Sequence, residues 1–164
     1  MKRIVLFLLI ALGGFFQLKG QEVNTSVERV YVVFKTHLDV GFTDLSSVVT
    51  QRYITEFIPK ALDVSEKLRA ENASEKYVWT TGAWLIWKYL HTASPQDVKR
   101  LEAAIRRGDI VWNSVPYTVE SESMNLDLFE TCLLLSHKLD EKYGKKTIAA
   151  KMTDVPGHTR SIVA

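Results

Sequence analysis

The chain alternates short, strongly apolar runs with longer segments in which apolar residues recur at helical spacing. The apolar runs are rich in β-branched and aromatic residues, which is typical of strands covered on both faces. They predict four strands, at residues 29–35, 77–81, 110–112 and 148–153. Helical patterns fill the gaps between these runs. The order therefore predicts an α/β fold with a parallel sheet and right-handed crossovers.

Local signals mark where the helices begin and end. Ser94 followed by Pro95 predicts a capped helix start, and Gly108 and Gly144 predict two helix ends. Pro59 interrupts the first helical pattern and should kink that helix or split it. The apolar face of this first pattern is formed by Tyr53, Phe57, Ala61, Val64 and Leu68.

The N-terminus has the composition of a secretory signal sequence. A short basic start precedes an apolar run from Ile4 to Phe16, and polar residues follow. The run is shorter than the roughly 18 residues that a membrane span needs. We therefore predict a signal peptide over residues 1–20 and a mature chain over residues 21–164. The mature protein would be exported, periplasmic or secreted, without a stable membrane span.

The charge of the chain gives no support to a nucleic-acid partner. Three of its 21 basic residues, Lys2, Arg3 and Lys19, lie in the predicted signal, which holds none of the 19 acidic residues. Removing the signal changes the net charge from +2 to −1, and no basic stripe remains. Cys132 is the only cysteine, so the chain has no internal disulfide.

Two of the predicted strands lead into polar loops that contain glycine. The first strand is followed by His37 and Asp39, and the fourth is followed by Asp154. In α/β sheets the carboxyl ends of the strands carry the chemistry. One imidazole and two carboxylates would suit zinc or a similar divalent ion. Taken singly, His37 and Asp39 could instead be a hydrogen-bonded loop pair, and Asp154 could be a turn residue.

A third polar loop, residues 112–122, follows the third predicted strand. It combines aromatic, amide and acidic groups, and this mixture suits sugar binding because rings stack on CH surfaces and carboxylates accept hydroxyl hydrogens. Trp112 and Glu120 are its candidates for substrate contact, and a solvated loop before a helix is the alternative. His158 could orient a carboxylate or be an exposed loop residue.

The two glycine-containing loops together resemble motifs of glycoside hydrolase family 38, the α-mannosidases. That family has a His-x-Asp-x-Gly-Trp stretch after its first strand and an Asp-Pro-Phe-Gly-His-Ser stretch after a later one. Here the first stretch reads His37-Leu38-Asp39-Val40-Gly41-Phe42. The second reads Asp154-Val155-Pro156-Gly157-His158-Thr159. Residues 107–112 resemble a third segment of the family, and the resemblance covers about residues 29–164.

The resemblance implies a metal-dependent retaining glycosidase that acts on mannose-containing glycans. It implies that His37, Asp39 and Asp154 bind a divalent ion, usually zinc, and that Asp154 is also the nucleophile. It implies the first part of an irregular seven-stranded β/α barrel. The family's acid/base and last metal ligand lie beyond the matched stretch, so we expect an incomplete catalytic domain that is inactive alone. The residues assigned to substrate contact are Phe42, Trp112, Glu120 and His158.

The sequence departs from the family pattern at two places. Phe42 stands where the family has Trp, and Val155-Pro156 stands where it has Pro-Phe. These departures leave the sugar open. Two other functions remain: a non-catalytic carbohydrate-binding protein that kept the fold, and a metal-dependent carbohydrate deacetylase. Against the deacetylase, no His-x-x-x-His pair is formed by His91, His137 and His158.

Overall fold

The structure is a computed structural model that describes residues 26–155 and 157–163. The chain divides into two compact units between Val32 and Val33, and the helices and strands described below lie in the second unit. The predicted signal peptide, residues 1–20, lies outside the described residues. Within the described ranges, no helix has both the length and the apolar character needed to cross a membrane.

Short parallel strands and helices alternate along the second unit, so the α/β class is confirmed. The strands found in the described residues are β1 Phe34–Lys35, β2 Trp79–Gly82 and β3 Ile110–Asn113. The α-helices are α1 Ser46–Arg52, α2 Ile58–Ala70, α3 Ala83–Thr92, α4 Pro95–Arg107 and α5 Leu126–Tyr143. A π-helical turn, Tyr53–Phe57, joins α1 to α2, and 3₁₀ turns cover Ser121–Ser123 and Arg160–Val163.

The sheet has the order β1–β2–β3, and each strand runs parallel to its neighbour. Phe34 pairs with Trp79, and Trp79 pairs with Ile110. The carboxyl ends of the strands therefore lie at the same edge of the sheet. The described strands form a three-stranded sheet, and its closure into a barrel stays a prediction.

The first strand is much shorter than predicted. Regular pairing covers Phe34–Lys35 instead of residues 29–35. Its side chains are exposed rather than buried on both faces, with Val33 and Phe34 exposed to 66% and 53%. β1 is at the edge of the described sheet and pairs with β2 alone. Its apolar side chains are therefore not covered on both faces of the sheet, although the continuous apolar run had predicted that they would be.

The prediction of a fourth strand at residues 148–153 is wrong. This segment has an irregular conformation, although Ser114 donates its backbone N–H to the Ala149 carbonyl oxygen at 2.9 Å. Ile148 is 86% exposed, and a cavity of about 400 Å³ lies between residues 145–151 and the sheet. A strand in a sheet needs a ladder of hydrogen bonds and cover for its apolar side chains, and this segment has neither.

The helix ends predicted from the sequence are confirmed for α4 and α5. The Ser94 hydroxyl accepts the backbone N–H of Asp97 at 3.2 Å, and Pro95 is the first residue of α4. Gly108 and Gly144 follow α4 and α5 in the left-handed conformation, with φ values of 82° and 62°. Glycine adopts this conformation without steric cost, so both helices end where the sequence indicated.

Pro59 divides the first helix, as predicted, through the π-helical turn that precedes it. The backbone N–H of Ile58 bonds to the carbonyl oxygen of Tyr53, five residues back, because proline cannot continue the normal pattern of helical bonds. The wider turn shifts the helix face by one residue, so the predicted face is right only in part. Ala61 is buried and Tyr53 packs against the core, whereas Phe57 and Val64 are exposed. The buried residues of α2 are Ile58, Ala61, Leu62 and Ser65.

The core lies among β2, β3 and the helices that follow α1. Its fully buried apolar side chains include Leu62, Leu85, Ile86, Leu101, Ile105 and Ile110. At the end of β2, Gly82 packs so closely on the loop after β3 that a Cβ atom there would overlap the carbonyl oxygen of Pro116. This contact holds the polar loop after β3 against the carboxyl edge of the sheet.

Candidate metal centre

His37, Asp39 and Asp154 lie together, where the chain leaves β1 and where the irregular segment 148–153 ends. One donor atom from each side chain lies within 4.8 Å of the other two. His37 Nε2 is 2.7 Å from Asp39 Oδ1 and 3.5 Å from Asp154 Oδ2. The prediction that these two distant loops meet in space is therefore confirmed, and the group could hold a metal ion.

The paired strand β1 delivers His37 and Asp39. Thr36 donates its backbone N–H to the Thr80 carbonyl oxygen at 2.9 Å, which extends the pairing with β2 beyond Lys35. Leu38 is buried in the core, whereas His37 and Asp39 on either side of it are half-buried. This pattern follows from the alternation of side chains along an extended chain. The core thus fixes the backbone between two of the three candidate ligands.

Asp154 is presented by a turn instead of a strand. Its backbone adopts the left-handed conformation with a φ of 63°, which Asp and Asn adopt more readily than most residues. Its side chain is 82% exposed. Non-glycine residues in this conformation are often found at functional sites, and here the turn places the carboxylate beside His37 Nε2.

His37 has two further partners. The Tyr53 hydroxyl donates to the His37 carbonyl oxygen at 3.0 Å, and His37 Nδ1 lies 3.2 Å from Thr153 Oγ1. Burial, and then the negative charge of Asp39, raises the pKa of Tyr53, so this hydroxyl keeps its proton near neutral pH. Sequence analysis missed both residues. The hydroxyl directly before Asp154 is the signal that could have indicated Thr153.

The Nε2 atom of His37 is buried and has no hydrogen-bond partner among the described residues. Its contact with Asp39 has the length of a hydrogen bond but not the required direction. A buried nitrogen without a partner is unfavourable. A divalent cation would satisfy it together with both carboxylates, because imidazole nitrogen and carboxylate oxygen are ordinary metal ligands.

Comparisons with known proteins add no family assignment. The chain matches no protein-family model, no curated protein and no solved structure. The geometry of the group and the two motifs that carry it are therefore the basis for the function proposed below.

The predicted substrate residues differ in how exposed their side chains are. Phe42 is 87% exposed and shares a loop with His37 and Asp39, and Glu120 is exposed on the loop after β3. Trp112 is buried, and its Nε1 donates to Asp140 Oδ1 at 2.9 Å. Because it packs in the core as part of β3, Trp112 leaves little ring surface for a sugar, and its position disfavours the predicted contact.

His158 links the loop of Asp154 to the loop after β3. Its Nδ1 lies 3.1 Å from the hydroxyl of Ser121, which is buried, while His158 itself is exposed. A Cβ atom built on Gly157 would be 3.7 Å from Glu122 Oε1, so the two loops are also close there. Sequence analysis identified His158 but missed Ser121, because a serine in a polar loop has no distinguishing pattern.

The group offers three protein ligands, which would leave the fourth position of a tetrahedral ion open. A tetrahedral ion with bonds of about 2.1 Å would separate its ligand atoms by about 3.4 Å. His37 Nε2 is 2.7 Å from Asp39 Oδ1 and 3.5 Å from Asp154 Oδ2, and the three donor atoms all lie within 4.8 Å of one another, so a small movement of the side chains would bring them to this spacing. Asp154 is the most exposed of the three and can make this movement most easily.

Proposed function

We propose that this chain is the N-terminal part of the catalytic domain of an exported, metal-dependent retaining glycosidase of the α-mannosidase type. The observation that carries the proposal is the meeting of His37, Asp39 and Asp154 from two loops with the family 38 motifs. The parallel β/α order supports the proposed fold, an irregular seven-stranded β/α barrel of which the three described strands would be a part.

In the proposed reaction, Asp154 is the nucleophile. One of its carboxylate oxygens attacks the anomeric carbon as the bond to the leaving oxygen breaks, and a glycosyl ester forms on Asp154. Water then hydrolyses this ester and restores the carboxylate. The exposure of the Asp154 side chain supports the role, because the nucleophile must reach a bound sugar. The carboxyl group that protonates the leaving oxygen is not assigned to a residue of this chain.

His37, Asp39 and Asp154 are the proposed metal ligands. We propose Zn²⁺ because the family that the two motifs resemble usually binds zinc, and imidazole and carboxylate are ordinary ligands for this ion. When bound, such an ion would coordinate sugar hydroxyls and favour a distorted ring closer to the transition state. Phe42 would offer its exposed ring to the CH face of a mannose-containing glycan, and Glu120 and His158 would supply polar contacts.

α-Mannosyl fluoride is the substrate that tests this proposal best. Fluoride leaves without protonation, so its release needs the nucleophile and the ion but no general acid. The chain alone is expected to be inactive on ordinary mannosides, which need the unassigned general acid, but this substrate does not need it. We therefore expect slow fluoride release by the purified protein with Zn²⁺, loss of release with a chelator, and loss in Asp154→Asn. A matched control is Asp127→Asn, which changes an exposed carboxylate at the start of α5 and should leave the rate unchanged.

Two results would overturn the proposal. One is a protein that binds Zn²⁺ but releases no fluoride, and the other is full activity in Asp154→Asn. Binding of mannose-containing glycans that persists without metal and without turnover would favour the non-catalytic carbohydrate-binding alternative.

A further inference from the structure

The contact between His37 and Thr153 joins the two halves of the metal group. His37 Nδ1 lies 3.2 Å from Thr153 Oγ1, on the side of the imidazole away from Nε2. Thr153 directly precedes Asp154, so one side-chain contact connects the loop after β1 to the loop that carries the third ligand. Nothing in the metal-ligand set itself accounts for this hydroxyl.

The chemistry of the imidazole gives this contact a consequence. When Nδ1 carries the ring hydrogen, it donates to Thr153 Oγ1, and Nε2 then carries the lone pair that a metal cation needs. The other tautomer would place the hydrogen on Nε2, which is buried and has no acceptor in the direction of its N–H among the described residues. Only the first tautomer can bind a cation through Nε2.

We propose that Thr153 is a positioning residue for the metal centre, whose hydroxyl accepts the Nδ1–H of His37 and so holds the imidazole in the tautomer and orientation that bind metal. The inference rests on the proposed metal-dependent function. Metal-bound histidines commonly donate their second N–H to a fixed acceptor, and loss of such an acceptor typically weakens metal binding about 10–100-fold.

Tyr53 does not duplicate this role. Its hydroxyl donates to the backbone carbonyl oxygen of His37 and leaves the side chain able to rotate. The ring orientation therefore depends on Thr153 and on the two carboxylates. Because Thr153 and Asp154 are consecutive, the same hydrogen bond also keeps the Asp154 carboxylate beside Nε2.

Three variants distinguish the effect of the Thr153 hydroxyl from the effect of the side chain's volume. Thr153→Val removes the hydroxyl and keeps the volume, whereas Thr153→Ser keeps the hydroxyl. Thr131→Val makes the same exchange at an exposed position of α5. Measured by competition with a chelator, Zn²⁺ affinity should fall about 10–100-fold in Thr153→Val. It should remain close to wild type in the other two variants.

A second readout does not require metal. The ¹⁵N shifts of His37 in the zinc-free protein report its tautomer, and we expect the Nδ1–H form in the wild type and a shift toward Nε2–H in Thr153→Val. Wild-type Zn²⁺ affinity and an unchanged tautomer in Thr153→Val would overturn the inference, as would failure of a folded Thr153→Ser to retain affinity. If the wild type binds no Zn²⁺, the proposed function fails, while the ¹⁵N shifts still decide the role of Thr153.

Discussion

The two loops that carry the candidate metal ligands are held to the fold in different ways. The loop of His37 and Asp39 continues a paired strand, has Leu38 buried in the core between its two ligands, and accepts a hydrogen bond from Tyr53. The loop of Asp154 follows an irregular segment and is attached mainly through side chains, Thr153 to His37 and His158 to Ser121. One half of the site is part of the sheet, and the other is docked beside it.

This difference indicates which half a ligand would reorganise. Segments with paired backbone and buried side chains open rarely, whereas segments with exposed backbone and few apolar contacts open at low free energy. The half with two ligands can therefore be regarded as preformed. The Asp154 half would be ordered by the ion and the substrate, and it also carries the proposed nucleophile.

Replacing the core anchor of the first loop should destabilise the protein most. Leu38→Ala removes a side chain that is 7% exposed, and such a change typically lowers the free energy of unfolding by about 2–5 kcal/mol. Urea denaturation followed by tryptophan fluorescence measures it. Leu126→Ala, at a position that is 66% exposed, is the control and should stay within about 0.5 kcal/mol of wild type. Equal effects of the two changes would show that Leu38 does not anchor the loop.

Replacing a candidate ligand should weaken metal binding, while the protein stays folded and the second loop stays attached to the sheet. Asp39→Asn and Asp154→Asn should each lower Zn²⁺ affinity by at least about 100-fold, the upper end of the range for residues that only support a ligand. Asp154→Asn should leave the free energy of unfolding within about 0.5 kcal/mol of wild type, because the carboxylate is exposed and Asn tolerates the left-handed backbone. A large loss of stability in Asp154→Asn would contradict the docked arrangement.

A contrast between contacts with sequence neighbours and contacts with distant residues explains which elements could be predicted from the sequence. The ends of α4 were predicted because Ser94, Pro95 and Gly108 act on their own neighbours. Strand formation depends on partners distant in sequence, so residues 148–153 had strand composition but did not become a strand. The buried face of α2 was predicted only in part because one π-helical turn shifted its register.

Only part of the candidate site was predicted, because some of its residues lie in local motifs and others are recognised only by their long-range contacts. His37, Asp39 and Asp154 could be found because each lies in a short motif after an apolar run. Tyr53 and Ser121 could not, because their hydrogen bonds join residues from separate parts of the chain and leave no periodic pattern. Thr153 was missed as well, and its position directly before Asp154 is the one signal for it. Trp112 shows a further limit of the sequence, since an aromatic residue at a strand end can equally well pack in the core, as this one does.

Hydrogen exchange should distinguish the two loops directly. The Thr36 amide, which donates to Thr80, should exchange slowly with or without metal. Amides of residues 150–155 should exchange faster and should slow by at least about tenfold with saturating Zn²⁺, because the ion would tie Asp154 to the two ligands of the first loop. Exchange measured with and without Zn²⁺ by NMR or mass spectrometry tests this. Equal protection of both segments without Zn²⁺ would contradict the division into a preformed and a docked half.

The smallest expected effect comes from the Tyr53 hydroxyl. Tyr53→Phe removes one hydrogen bond to the His37 carbonyl oxygen, which should lower the free energy of unfolding by about 1 kcal/mol. Zn²⁺ affinity should fall less than in Thr153→Val, because the backbone of the first loop is also held by its pairing with β2. Tyr77→Phe is a matched control, since the hydroxyl of this half-buried tyrosine makes no hydrogen bond within the described part of the chain. A loss of affinity in Tyr53→Phe as large as that in Thr153→Val would mean that the first loop is less firmly built into the sheet than its pairing indicates.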